Sequence, residues 1–300
     1  MNKQIMQKTK FTLFLMITML MVQACGRVPF TGRRQLSLIS SQQVLALSLQ
    51  QYNDFLNTAA VERGTANAEM VNRVGTRIAN AVETFYRSNG FESELKDFDW
   101  EFNLVRDNSV NAFAMPGGKI VVYTGLLPIT QNEETLAVVV GHEVAHVIAQ
   151  HSAERISQQV ALQYGGAIAG GLLGSSAGAQ IGQQVFGIGA QLGVMLPYAR
   201  KQEYEADEIG LIVMALAGYN PQVAVPFWQR MSQNGGASAP EFMSTHPSDA
   251  NRIARIQKVM PNALQYYKGA GVQNQVQAPI KTQTTIPTVD NTRTSEEWSF

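Results

Sequence analysis

Only one of the 300 residues is cysteine, so neither a disulfide framework nor a multi-cysteine metal knuckle can be built from this chain. Charge is also scarce. Charged side chains make up 15%, and the 23 basic ones are matched by 23 acidic ones, which leaves no global positive field to hold a nucleic-acid backbone. What is plentiful is apolar: 45% hydrophobic residues over this length can bury a core in one or two domains and exclude a wholly disordered chain.

The lone cysteine has a context. Lys3, Lys8 and Lys10 precede a mostly apolar run from Phe11 to Val22, which has the length and basic flank of a secretory signal and falls short of a bilayer span. Val22-Gln23-Ala24-Cys25-Gly26 then resembles a bacterial lipobox, with Cys25 as the residue to be lipidated. Residues 1–24 are expected to be a signal peptide and residues 25–41, with Pro29 and Gly32, a lipidated tether. Losing three lysines with the signal leaves 20 basic against 23 acidic groups. The implied location is the bacterial cell envelope, periplasm-facing and held by lipid, with the outer membrane as the expected surface.

The folded body is expected over 42–268. Val71, Val74, Ile78, Val82 and Phe85 recur at helical spacing between Ala68 and Tyr86. Phe98, Trp100, Phe102 and Leu104 alternate with polar residues as a half-buried strand does, and strands over Val110–Met115 and Lys119–Thr124 are joined at Pro116-Gly117-Gly118 as a hairpin. Thr130-Gln131-Asn132-Glu133 reads as a capping box for a helix running through His142 to Gln150. Further helices are expected from Arg200 to Leu216 and from Asp249 to Val259, the latter capped by Ser248 with Pro261 beyond its end. The class is α+β, mainly helical, with a small antiparallel sheet packed against the central helix. Between them, residues 165–194 are uncharged and glycine-rich, with Gly166, Gly170, Gly174, Gly178 and Gly182 every fourth residue. They suit a lid or a membrane-contacting insert. Residues 269–300, rich in Gln, Thr and Pro, read as a disordered tail.

His142-Glu143-Val144-Ala145-His146 places two imidazoles one helical turn apart on one face, with Glu143 beside them. That is the zincin pattern, and a catalytic zinc needs a third protein ligand. No histidine follows at metzincin spacing. The best carboxylate is Glu203, with Asp207 one turn on to fix the tautomer of a ligating imidazole and Gly210 on the same face to let two helices approach. Glu205 and Glu208 should be solvated. On a continued ideal helix His151 points away from both imidazoles, so it should not be a ligand; it is expected either to support a ligand from behind or to sit at a helix end, where the dipole would favour its charged form.

These motifs, with Thr31-Gly32-Arg33-Arg34-Gln35-Leu36, Asn111-Ala112-Phe113-Ala114, and Thr245-His246-Pro247 followed by Arg252, resemble zinc metallopeptidase family forty-eight. It comprises the HtpX and CaaX prenyl endopeptidase gluzincins, and the likeness is to its periplasmic lipoprotein branch. The resemblance implies a zincin-like gluzincin fold, one Zn2+ per chain, and Glu203 as third ligand. It further implies His246 over the metal, as an inhibitory fourth ligand or a stabiliser of the tetrahedral intermediate, with Arg252 nearby. Asn111, Ala112, Phe113 and Ala114 would form an edge strand that binds extended polypeptide by strand addition. Glu143 would act as general base, and Tyr198 is a second candidate for the oxyanion. The expected function is hydrolysis of unfolded or misassembled envelope proteins. The competing class is a non-catalytic chaperone or assembly factor that uses the same groove.

Overall fold

The computed structural model describes residues 25–169, 197–233, 242, 246 and 251–268. The signal peptide, residues 170–194 of the glycine-rich segment, the Ser248 cap and the tail over 269–300 lie outside the described residues, as does the side chain of Tyr198. The elements, in chain order, are β1 (Cys25–Arg27), β2 (Arg34–Leu36), α1 (Ser41–Thr58), β3 (Val61–Glu62), α2 (Ala66–Ser88), β4 (Glu101–Val105), β5 (Ala112–Met115) and β6 (Lys119–Tyr123). Then come α3 (Glu133–Ile148), α4 (His151–Ala169), α5 (Pro197–Leu216), α6 (Ala224–Gln233) and α7 (Arg252–Leu264). No helix among the described residues is long and apolar enough to cross a membrane.

Helix α3 is the axle. Every residue from Thr135 to Ile148 is buried, so the helix is apolar all round except where it carries the two histidines and Glu143. Helix α2 covers one side with Val71, Val74, Ile78 and Val82, the stripe its periodicity predicts, while Phe85 stacks on Phe30 at 4.3 Å. Helix α5 covers another, and the four-stranded sheet, in the order β3-β4-β6-β5, lies alongside.

Several expectations are corrected. The sheet is mixed rather than antiparallel: β4 pairs with β6 in parallel, Phe102 opposite Ile120 and Leu104 opposite Val122. The chain leaves β4, comes down in the edge position as β5, and hairpins back so that β6 fills the space between, running the same way as β4. Gly117 and Gly118, at φ 89 and 88, make the tight return possible. The cap of α3 is Asn132, whose side chain accepts from the Thr135 N–H, whereas Thr130 closes a one-turn helix over Leu127–Thr130. Helix α3 stops at Ile148 because Gln150 takes φ 52, a turn that periodicity cannot show. Helix α7 starts at Arg252 and runs through Pro261 to Leu264, with Ile256, Met260 and Ala263 buried along one face. The segment 25–41 is not a loose tether. Its strands pair as a ribbon, Gly26 opposite Gln35, and Val28 is buried in the main core.

Helices α3 and α5 cross at glycine on glycine. A Cβ on Gly210 would stand 2.9 Å from the His142 nitrogen, and one on Gly141 would stand 2.8 Å from the Gly210 carbonyl oxygen. Backbone is the obstacle on both sides, so the crossing cannot absorb a methyl group by rotating a side chain. Gly210→Ala is expected to destabilise the fold by about 1–3 kcal/mol, read as a lower urea midpoint. Unchanged stability would mean that the helices are not held this close.

Candidate metal centre

Two helices supply most of the centre. His142, Glu143 and His146 project from α3, Glu203 and Asp207 from α5, and the close glycine crossing brings the two sets together. His246 lies above them, its ring stacked on Phe242 at 4.5 Å, and the Phe242 N–H donates to the Val110 carbonyl beside the edge strand. His142, His146, Glu203 and His246 are all buried and offer donor atoms within 4.8 Å of one another. His142 Nε2 lies 3.1 Å from His146 Nε2, 3.2 Å from Glu203 Oε2 and 3.2 Å from His246 Nδ1, while His246 Nδ1 lies 2.9 Å from Glu203 Oε2.

Those separations decide what the cluster fits. Ligands about 2.05 Å from a tetrahedral zinc stand about 3.3 Å apart, close to the spacings here. Borderline imidazole nitrogens with one carboxylate form a donor set suited to zinc, so the residues fit the ion. The electrostatics agree. Burial disfavours a proton on His142, but the bonds to Asp207 and Glu203 outweigh it and draw positive charge onto the ring. A divalent cation answers the same pull. Burial likewise opposes ionisation of Glu203, yet the surrounding imidazoles hold its carboxyl well below the ordinary range. His146 is pushed well below its ordinary value by burial, which keeps it neutral.

Behind His142, Nδ1 faces Asp207 Oδ1 at 3.0 Å, and a carboxylate can only accept. Asp207 therefore holds the proton on Nδ1, which makes Nε2 the nitrogen that can give its lone pair to a cation. Arg252 fixes Asp207 with two bonds, Nε to Oδ2 at 2.8 Å and Nη2 to Oδ1 at 2.7 Å, and donates through Nη1 to the His246 carbonyl at 3.2 Å. Its guanidinium lies 3.4 Å from the centre of the Trp228 ring, and its side chain is fully buried.

Glu143 is 1% exposed, and its Oε1 has no hydrogen-bond partner among the described residues. That oxygen lies 3.4 Å from His246 Nε2. Burial pushes the carboxyl up to about 7, with Glu203 adding to the rise and His246 opposing it. The Ala114 backbone faces Glu143 and offsets a small part of that rise.

Strand β5 is the sheet edge. The Tyr123 N–H donates to the Asn111 carbonyl, so the ladder bonds fall at 111 and 113 and the backbone groups of Ala112 and Ala114 turn outward. Ala114 and Met115 border a groove with about 460 Å³ of open space that also touches His146, Ser41 and Ser152. Asn111 is buried with its side-chain oxygen on the Ala112 N–H, and Phe113 packs edge-on against Phe55 on the other face.

Two expectations fail here. Glu205 is not solvated: it is 6% exposed and takes bonds from Thr31 and from Arg33 Nε at 2.8 Å. His151 does not point away from the site or end a helix; of its two expected places, the one behind a ligand is the one it takes. The turn at Gln150 swings its ring back until Nδ1 is 2.8 Å from His146 Nδ1, and it starts a helix rather than ending one. Burial lowers its pKa, so the charged form is disfavoured. The sequence offered a faint signal for this group, since Thr31 and Arg33 stand out as a motif without a role.

Comparison with known proteins places these residues among relatives. A model described as Peptidase family M48 matches residues 65–260. The chain is 38% identical over 173 residues to "Mitochondrial metalloendopeptidase OMA1" of Schizosaccharomyces pombe, covering 57% of this chain and 50% of that protein. It is 31% identical over 211 residues to "Beta-barrel assembly-enhancing protease" of Yersinia pestis, covering 65% and 40%, and 26% identical over 237 residues to the protein of that name from Escherichia coli, covering 76% and 46%. The chain spans about half or less of the length of these relatives.

Proposed function

This chain belongs to peptidase family M48, and from that premise we propose that it is a zinc metalloendopeptidase acting on extended, unfolded or misassembled polypeptides of the bacterial cell envelope. The observation that carries the reading is the convergence of His142, His146 and Glu203 on one point, with a desolvated carboxylate, Glu143, beside it. His142 and His146 through Nε2 and Glu203 through its carboxylate would hold the ion, and Asp207 and Arg252 orient His142. When bound, the ion supplies Lewis acidity, lowering the pKa of water toward about 7 and polarising a substrate carbonyl. Glu143 takes the proton of the attacking water and passes it to the leaving amine. Burial favours this role, because a carboxyl with its pKa near neutrality can both accept and return a proton.

The outward carbonyls of Ala112 and Ala114 take the substrate as an added strand, the Ala112 N–H being held by the Asn111 side chain, so recognition is mostly main-chain and loosely sequence-specific. The envelope location rests on the lipobox at Cys25 and on the similarity to the two bacterial relatives; lipid on Cys25 would hold the chain to a membrane facing the periplasm.

His246 Nδ1 stands inside the donor cluster, so we assign it as the fourth ligand that closes the site at rest, since a catalytic zinc needs a position left free. The test is hydrolysis of unfolded casein by zinc-loaded protein. His246→Ala is expected to raise the initial rate at least several-fold. A lower rate would instead make His246 a stabiliser of the oxyanion, and the absence of cleavage by both proteins would favour a holding role for the groove.

A further inference from the structure

The two ligating imidazoles of α3 each need the metal-facing nitrogen stripped of its proton, and a supporting group must hold the proton on the other nitrogen. For His142 that group is Asp207. Among the described residues, no carboxylate stands behind His146. Its Nδ1 faces the Nδ1 of His151 at 2.8 Å, and Arg155 Nη2 stands 3.4 Å away. Two imidazole nitrogens at that distance share one proton, and the chain beyond His151 decides which of them carries it.

His151 Nε2 lies 3.0 Å from Glu205 Oε2. The carboxylate accepts only, so Nε2 carries the His151 proton and, in the neutral ring, Nδ1 is a bare acceptor. With His151 neutral, His146 Nδ1 is then the donor across the shorter contact, Arg155 Nη2 at 3.4 Å being a donor too and so a neighbour of this N–H rather than its partner, and His146 Nε2 is left with its lone pair aimed at His142 Nε2 and Glu203. Glu205 is itself held: Thr31 donates to Oε1, and Arg33 Nε donates to Oε2 at 2.8 Å. Arg33 also bridges to Glu154 at 2.8 Å through Nη1 and through Nη2. The ribbon that carries Thr31 and Arg33 is the segment directly after Cys25, more than 100 residues before His146 in sequence.

We propose that Arg33, Glu205 and His151 are a positioning relay that fixes the tautomer of His146, so that the N-terminal ribbon is part of the metal centre rather than a leash for it. His151 here does for His146 what Asp207 does for His142, with a neutral acceptor in place of a charged one. A neutral acceptor leaves the net charge of the donor set unchanged, which matters in a site that already holds Glu143, Glu203 and Asp207. The relay rests on the reading of His146 as a ligand, and its test separates the two.

The measurement is the zinc Kd of the full-length protein by competition with a chromogenic chelator, together with the cobalt d–d spectrum and the thermal midpoint of the metal-free form. His151→Phe keeps the ring volume and removes the acceptor; it is expected to weaken zinc binding about 10–100-fold and to shift the cobalt bands. His151→Gln supplies a carbonyl oxygen for His146 Nδ1–H and an amide N–H for Glu205, and should restore affinity to within a few-fold of wild type. A purely structural role would move the metal-free thermal midpoint and leave the spectrum alone. Wild-type affinity in His151→Phe, or equal loss in the Phe and Gln variants, overturns the relay while the metal site stands. If wild type binds no zinc, or His146→Phe binds it as tightly as wild type, the ligand reading falls and the relay falls with it.

Discussion

Glu143→Gln is expected to lower kcat/KM for an unfolded polypeptide by about 10²–10⁴-fold, the range a positioned general base contributes, with zinc stoichiometry unchanged. The amide keeps the shape of the side chain, but it cannot take a proton from water. The same substitution carries a stability signature of known sign. The folded-state pKa of Glu143 is raised, to about 7 from its ordinary 4.5, because burial penalises the charged form. Wild type therefore loses stability as pH rises from 4.5 through about 7, and the neutral variant does not. In metal-free protein, the thermal midpoint of Glu143→Gln relative to wild type should climb over that window and show no such gain below it. Undiminished cleavage, measured at saturating zinc, would remove Glu143 from the mechanism.

Arg252→Leu should cost about 3–5 kcal/mol, the usual penalty for removing one partner of a buried ion pair. Arg252 is fully buried, bonds both oxygens of Asp207, holds the His246 carbonyl and covers Trp228. Without it, a carboxylate that is 8% exposed is left with His142 alone. The urea midpoint of the metal-free protein reads the loss. Adding Asp207→Leu to the variant should recover part of the stability, because the uncompensated charge is then gone, while zinc binding weakens further. A loss well under 1 kcal/mol in Arg252→Leu would show that water reaches Asp207.

The contrast between residues readable from the sequence and residues hidden in it has a physical origin. His142, His146, Glu203 and Asp207 were legible because each pair lies on one helix, where spacing alone sets direction. The hairpin after Met115 is legible from Pro116-Gly117-Gly118, whereas the edge position of Asn111 to Ala114 comes from the family resemblance. The direction of His151 is not legible, because one residue, Gln150 at φ 52, ends the helix and reverses the chain, and nothing in an apolar periodicity marks a left-handed glutamine. The burial of Glu205 is hidden in the sequence because its partners, Arg33 and Thr31, come from a ribbon 172 and 174 residues away. The parallel pairing of β4 with β6 depends on which gap the third strand fills, a choice made by the whole sheet against α3 rather than by any local pattern. The Asn132 cap was missed because Thr130 also fits a capping box, and the one-turn helix that claims it is set by tertiary packing.

The most direct measurement is a crystal structure of zinc-loaded protein with anomalous data collected on both sides of the zinc absorption edge. One anomalous peak per chain is predicted, within bonding distance of His142 Nε2, His146 Nε2 and the Glu203 carboxylate, with His146 Nδ1 still facing His151. A peak elsewhere, or a zinc held without Glu203, would contradict the account.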